Sequence, residues 1–261
     1  MFEASLEILL LLILVGFFAG FMDAIAGGGG LITIPALLLA GFPPVQALGT
    51  NKLQGLFGTG AAAYAYAKGG HVNIGGQLRP ALLAFIAAIA GASVATILPA
   101  ALLCGMMPVL LIAVAVYFAF KPNLNDIDRA QRLSPALFGF TVAPFLGFYD
   151  GAFGPGTGSF LMLAFVGLAG QGVLKATAHT KFLNFASNVG GFAAFAVFGA
   201  ISWKTGLLMG MAQIAGARIG AAFAMKKGAR VIKPLLVLVC LALAARLLSD
   251  PDNPLLRSIG L

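Results

Sequence analysis

Two stretches of the chain share one pattern, and this pattern decides the fold. GFMDAIAGGGG occupies residues 20–30 and GFYDGAFGPGTG occupies residues 147–158, so that 20–27 aligns without gaps on 147–154. Further along, Thr50-Asn51-Lys52 corresponds to His179-Thr180-Lys181 after a two-residue difference in length. An acid, a glycine-rich break and a later lysine therefore recur together, which indicates an internal duplication of about 130 residues.

The composition of the chain excludes an ordinary soluble domain. Its 261 residues are 60% hydrophobic and 9% charged, against roughly 45–50% and about 25% in soluble proteins. Together with a mean hydropathy of +1.00, this predicts an all-α polytopic membrane protein. The net charge of +8 fits basic loops between membrane segments better than it fits nucleic-acid binding. Without a P-loop, zinc motif or catalytic triad, we expect no enzyme activity, cofactor or metal site.

Two of the apolar segments are too short to cross a membrane. The segments 31–40 and 159–169 have about 10 residues each and follow the glycine-rich breaks, so we expect broken or re-entrant helix pairs. Full crossings remain the alternative. The predicted segments are 6–25, 31–40, 46–67, 78–98, 101–119, 135–150, 159–169, 175–199, 203–225 and 234–249.

Loop charges predict the orientation of the two halves. With the loop 120–134 in the cytoplasm, ten basic residues lie inside and two outside, as the positive-inside rule requires. The halves then form two inverted-topology repeats, 1–125 and 135–261, joined by a cytoplasmic linker at 126–134. The inverted relation holds whether the short segments re-enter or span, because each repeat has an odd number of crossings in both cases.

Asp23 and Asp150 are the only acids that fall deep within apolar segments, because the other six, with Glu7 at the very start of the first segment, lie in the tails or the central loop. A carboxylate at membrane depth costs about 3 kcal/mol on insertion scales, so its presence at the same point of each repeat needs a reason. One interpretation is proton relay or organisation of a substrate site. The other is a structural cap that accepts backbone N–H bonds in the glycine-rich break. Both roles stay open at this stage.

Lysines and amides follow the breaks and predict a polar site. Lys52 and Lys181 correspond to each other and either snorkel to the interface or face a shared cavity. Lys181, Asn184 and Asn188 lie at i, i+3 and i+7, on one helix face. The first half predicts a different surface, so the site is expected to be asymmetric: Lys52, Gly55 and Thr59, with Asn51 and Gln54 turned away.

The glycine breaks predict an anion site. Successive backbone N–H groups form an anion-binding nest, and the half-helix that follows directs its positive dipole end to the same place. Close helix packing is the alternative, and it explains Gly190-Gly191 and Gly216/Gly220 well. His179 opens its helix and is expected either in the site or in a helix-start hydrogen bond. The candidate binding residues are Gly28, Gly29, Gly30, Asn51, Lys52, Gly156, Thr157, Gly158, His179, Thr180, Lys181, Asn184 and Asn188.

The stretch 16–35, the element Gly49-Thr50-Asn51-Lys52 and residues 179–188 resemble the TauE/SafE (sulfite exporter) permease family, and the resemblance covers nearly the whole chain. It implies an inner-membrane secondary transporter of sulfite, organosulfonates or related small carboxylates. The expected partners are a small anion, membrane lipid and the proton as a candidate coupling ion, and a homo-oligomer is compatible with the sequence. A membrane scaffold without transport and an anion channel are the alternatives. The anion, the direction and the coupling ion stay open.

Overall fold

The computed structural model describes residues 5–120 and 130–227, with the single positions 241, 242, 245, 248 and 249 beyond them. This part of the chain contains helices and no strands, which confirms the all-α class. The predicted segment 234–249 lies mostly outside the described residues. The helices are α1 Leu6–Ala26, α2 Gly29–Leu39, α3 Pro44–Lys68, α4 Ile74–Ile97, α5 Ala100–Phe120, α6 Pro135–Ala152, α7 Thr157–Gly167, α8 Val173–Val197 and α9 Trp203–Lys227.

Among the helices of residues 5–120 and 130–227, three are long and apolar enough to cross a membrane: α1, α4 and residues 203–226 of α9. By contrast, α2 and α7 have 11 residues each. An α-helix of this length measures about 16 Å, roughly half the thickness of the hydrocarbon core. Neither α2 nor α7 crosses the membrane alone, in agreement with the half-helices that the sequence predicts.

The two halves begin in the same way. Ser5 caps α1 by accepting from the Ile8 N–H, and Ser134 caps α6 by accepting from the Leu137 N–H. A serine at the N-cap satisfies one of the backbone donors that a helix start leaves unpaired. α1 is separated from the short helix α2 by a break that starts at Gly27. The φ of Gly27 is 77°, so α1 ends in the left-handed region, where glycine is favoured.

The two halves pack against each other through equivalent helices. The first helix of each half packs against the fourth helix of the other half: α1 against α9, and α6 against α4. These contacts are backbone-close, because a Cβ atom at Gly216 would lie 2.0 Å from the Phe17 carbonyl oxygen and one at Gly151 would lie 2.1 Å from that of Ala88. The packing interpretation of Gly216 agrees with this contact. The inverted orientation of the repeats stays a prediction.

Candidate functional site

A small polar cavity lies where the two helix breaks meet. Its volume is about 30 Å³, room for about two water-sized groups. All the described helices except α4 and α5 contribute to its lining or to the breaks beside it. The lining residues are Asp23, Gly27, Gly29, Gly30, Asn51, Gly55, Thr59, Asp150, Gly154, Gly158, Asn184, Asn188 and Gln213.

The two breaks contact each other directly. The Ser159 backbone N–H donates to the Gly27 carbonyl oxygen at 3.1 Å, and the Ser159 hydroxyl donates to the Ala26 carbonyl oxygen at 2.7 Å. A Cβ atom at Gly158 would lie 2.7 Å from the Gly27 Cα. Because no side chain fits between the breaks, glycine at these positions is a requirement of close approach.

Gly30 and Gly158 are the second residues of α2 and α7, and both line the cavity. The neighbouring Gly29 N–H donates to Asp23 Oδ1 at 3.1 Å. Within the described residues, the N–H groups of Gly30 and Gly158 have no hydrogen-bond acceptor. The first N–H groups of a helix lack intrahelical partners and carry the positive end of the helix dipole. Each half therefore contributes one unpaired donor to the same cavity.

The acids and lysines form two ion pairs that cross between the halves. Lys181 Nζ lies 2.9 Å from Asp23 Oδ2, and Lys52 Nζ lies 2.8 Å from Asp150 Oδ1. All four side chains are at least nine-tenths buried. The Lys181 contact is an aligned hydrogen bond. The Lys52 contact is equally short but misaligned, so the Lys52 ammonium has no hydrogen-bond acceptor in the described part of the chain.

The second carboxylate oxygen differs between the two acids. Asp23 Oδ1 accepts from the backbone of α2, as expected of a cap. Asp150 Oδ2 instead accepts from the Ser187 hydroxyl at 2.7 Å. In the second half the break is held by Thr157 Oγ1, which donates to the Gly154 carbonyl oxygen at 2.9 Å. The threonine at the start of α7 therefore stabilises the break of the second half, whereas in the first half the aspartate has this role.

Neither lysine lines the cavity. Both contact the carboxylates that do, so the lysines reach the site through their partners. The formal charges of the two ammonium groups and the two carboxylates cancel. The cavity therefore combines balanced ionic charge with neutral hydrogen-bond donors.

Asn184 and Asn188 line the cavity from α8, on the face that their spacing predicts. Asn188 Nδ2 donates to Asn184 Oδ1 at 2.7 Å. This orients the Asn184 amide so that its Nδ2, which would lie 2.9 Å from a Cβ atom at Gly158, remains as a donor beside α7. The equivalent side of α3 carries Gly55 and Thr59, and the Thr59 hydroxyl donates to the Gly55 carbonyl oxygen. The polar lining is therefore asymmetric.

The model of the Sulfite exporter TauE/SafE family matches residues 12–247. The chain belongs to this family. It is 59% identical over 258 residues to "Probable membrane transporter protein ORF9" of Sinorhizobium sp, with 99% of each chain covered. It is 45% identical to a "Probable membrane transporter protein" of Haemophilus influenzae, covering 95% of this chain and 97% of the relative. For "Probable membrane transporter protein YfcA" of Escherichia coli K12 the identity is 40%, and the coverage is 96% and 93%. No solved structure matches.

This TauE/SafE chain is thus an integral transporter of the bacterial inner membrane and not an enzyme. The family membership and the apolar helices agree with the class and localisation predicted from the sequence.

Asn51 lies closer to the site than its helical position predicts. The spacing turned it away from the face of Lys52, but it lines the cavity. Asn51 Oδ1 accepts from Thr33 Oγ1 at 2.6 Å and from Gln54 Nε2 at 3.0 Å. Because α2 packs against this side of α3, Asn51 lies at the cavity although it is at the edge of the helix face that carries Lys52.

His179 lies in a separate polar network at the start of α8. Its Nε2 accepts from the Asn73 backbone N–H at 3.3 Å, and its Nδ1 lies 2.7 Å from Gln171 Oε1. The imidazole thus links α8 to the connections before α4 and after α7, which corresponds to the hydrogen bond at the helix start that was one of the two expectations for His179. Besides His179 and the lysines, four candidates do not line the cavity: Gly28, Gly156, Thr157 and Thr180.

Gln213 of α9 is a lining residue that the sequence analysis did not single out. It is 3% exposed. An isolated glutamine in the apolar sequence Met211-Ala212-Gln213-Ile214 was the available signal. Gly27 and Gly154 also line the cavity, and they belong to glycine-rich stretches from which only the neighbouring positions were selected.

Proposed function

We propose that this TauE/SafE transporter binds a small anion in the cavity between the breaks and moves it by alternating access. The anion is sulfite, an organosulfonate or a related small carboxylate. The observation that carries the proposal is the pair of unpaired N–H groups at Gly30 and Gly158, which two half-helices bring to one buried cavity. Preoriented backbone donors at helix N-termini are a common way to bind oxyanions. The Asn184 amide adds a third donor.

The charge balance of the site indicates proton coupling. A monoanion adds one negative charge to a cavity in which two ammonium groups already cancel two carboxylates. Each half-helix dipole supplies only about half an elementary charge. Protonation of Asp23 would leave the Lys181 ammonium without its counter-ion, and protonation of Asp150 would do the same for Lys52. Either protonation alone frees one positive charge, which compensates a monoanion fully. We infer symport of one proton with one monoanion, which is electroneutral.

The cross-half pairs also suit alternating access. Each ion pair joins an acid of one half to a lysine of the other. A rocking movement of one half against the other therefore changes the distances within both ion pairs. Protonation of an aspartate weakens its pair and so weakens the interaction between the two halves. In this mechanism the proton and the anion enter together because each one alone leaves an uncompensated charge in a buried site.

Uptake into proteoliposomes tests the proposal. The panel is sulfite, thiosulfate, sulfoacetate, taurine and acetate, and protein-free liposomes are the control. We expect saturable uptake of at least one anion, with counterflow, and accumulation of a monoanion when the proton gradient points in the same direction. A membrane potential without a pH gradient should drive no accumulation of a monoanion.

The other outcomes separate the competing functions. Flux that neither saturates nor shows counterflow would make the protein a channel. Absence of binding and flux for every anion in the panel would overturn the anion-transport proposal and favour a scaffold role. Saturable transport driven by the potential alone would keep the substrate class but exclude electroneutral proton coupling.

A further inference from the structure

We propose that Gln213 contacts the transported anion through its amide N–H and selects anions with three oxygens over carboxylates. The inference rests on the proposed function, because it assigns a further ligand to the same cavity. Gln213 lines this cavity from α9, a helix to which the sequence assigned no role in binding.

The Gln213 side chain is buried with an unsatisfied polar group. The residue is 3% exposed, and its Oε1 has no hydrogen-bond partner in the part of the chain that the structure describes. A buried carbonyl oxygen without a partner destabilises the folded protein. A packing residue such as leucine or methionine would avoid this cost. A buried unsatisfied group in a folded protein calls for an explanation, and Gln213 differs from the others outside the site in lining the cavity.

Two glycines leave the space that Gln213 occupies. A Cβ atom at Gly20 of α1 would lie 2.7 Å from Gln213 Cγ, and one at Gly58 of α3 would lie 2.7 Å from Oε1. The side chain thus lies between α1 and α3, with Oε1 packed against α3. This arrangement leaves Nε2 as the end of the amide that is available to the cavity.

The other half shows what helix packing alone requires at this position. Gly147 of α6 packs against Ala84 of α4 in the way that Gly20 packs against Gln213. A Cβ atom at Gly147 would lie 2.7 Å from the Ala84 Cα, and a Cβ atom at Gly20 would lie 2.9 Å from the Gln213 Cα. Alanine is therefore sufficient at the equivalent contact between the halves. The amide of Gln213 serves a purpose that packing does not explain.

The direction of the donors at the cavity determines which anion benefits from Gln213. The N–H groups of Gly30 and Gly158 and the amide of Asn184 provide three donors, and a carboxylate presents two oxygens with about four lone-pair sites in one plane. The three oxygens of a sulfite or sulfonate group point in three directions, so a donor from a further helix can reach an oxygen that a planar carboxylate does not have. Gln213 therefore favours anions with three oxygens.

Binding to the purified full-length protein tests this role, with inorganic sulfite and acetate as the probes. Gln213→Met keeps a similar length and volume but removes the donor. We expect the dissociation constant for sulfite to rise about tenfold or more, as for loss of a hydrogen bond to a charged group, and that for acetate to change by less than about threefold. The melting temperature should stay the same or rise, because the unpaired oxygen is also removed. Gln213→Glu should weaken sulfite binding further, because it adds a negative charge.

Gln77→Met is the matched control. Gln77 lies in α4, and its Oε1 likewise has no partner within the described residues, but it does not line the cavity. This variant should bind sulfite as the unmodified protein does. Unchanged sulfite affinity in Gln213→Met, or an equal loss for sulfite and acetate together with a lower melting temperature, would overturn the inference. If the unmodified protein binds neither these probes nor any other member of the uptake panel, the anion proposal itself fails.

Discussion

Replacing Lys181 with methionine should leave Asp23 as a buried carboxylate without its counter-ion. The Lys181 side chain is 0% exposed and that of Asp23 is 9% exposed, with 2.9 Å between Nζ and Oδ2. Removing one partner of a buried pair costs about 3–5 kcal/mol. At about 2–4 °C for each kcal/mol in a chain of this size, the melting temperature should fall by roughly 6–20 °C.

The double variant Asp23→Asn with Lys181→Met separates charge from shape. Asparagine keeps an oxygen that can accept the Gly29 N–H, and methionine fills most of the lysine stem. With both charges removed, stability should return to within about 1 kcal/mol of the unmodified protein, because a neutral replacement of a buried pair is often tolerated. Asp23→Asn alone should be destabilising, since it leaves the Lys181 ammonium unpaired.

Thermal unfolding of the purified variants measures this cycle. We expect a coupling free energy of about 3 kcal/mol or more between the two positions. Single effects that add to the double effect within about 0.5 kcal/mol would refute a buried ion pair as the link between the halves. In proteoliposomes the double variant should keep sulfite counterflow but lose proton-driven accumulation if Asp23 carries the proton. If accumulation survives there and is lost in Asp150→Asn with Lys52→Met, Asp150 carries it.

Further variants test the glycine break, the topology and the role of His179. Gly158→Ala should prevent folding or transport because its Cβ atom would lie 2.7 Å from the other break, whereas Gly167→Ala in the same helix meets nothing within 4 Å and should be tolerated in an unfolding assay. Single cysteines at Lys68 and Phe198, at the exposed C-terminal ends of α3 and α8, should be labelled from opposite sides of the membrane in a background without native cysteines; labelling from one side would exclude inverted repeats. His179→Gln should lower the melting temperature by roughly 2–8 °C and leave the KM for sulfite unchanged, and a raised KM would return the histidine to the binding site.

The helices could be predicted closely because hydropathy reports directly on membrane segments. The predicted segments 6–25 and 135–150 correspond to Leu6–Ala26 and Pro135–Ala152. The half-helix predicted at 31–40 is found at Gly29–Leu39. The helix starts earlier because Gly29 and Gly30 already have helical conformation. The prediction placed the start too late because it counted only the apolar residues that follow these glycines. Boundaries set by backbone geometry are less visible in the sequence than those set by polarity.

The acids could be identified from the sequence because so few acids fall within apolar segments. Their partners could not. Asp23 pairs with Lys181, 158 residues away, rather than with Lys52 of its own half. A repeat alignment shows which groups correspond, but it contains no information on which half supplies the counter-ion. Gln213 was missed for a related reason, since its position in the site depends on α1 and α3 packing around it.

The two halves have the same charged groups but different neutral groups, and we expect this difference to separate two tasks. Each half contributes one aspartate and one lysine to the two ion pairs, and each aspartate pairs with the lysine of the other half. In alternating access the halves exchange roles, so groups that control the movement have to be present in both. Asn184, Asn188 and Gln213 line the cavity from the second half, whereas the first half contributes one amide, that of Asn51, whose oxygen accepts from Thr33 and Gln54. A single bound anion needs one set of ligands, and nothing in the exchange of roles requires a second set. Variants of the amides should therefore change which anion is preferred in the uptake panel while the proton stoichiometry stays the same. Variants of the ion pairs should change the proton stoichiometry for every anion alike, and a change of both properties from either class would show that recognition and coupling are not separate.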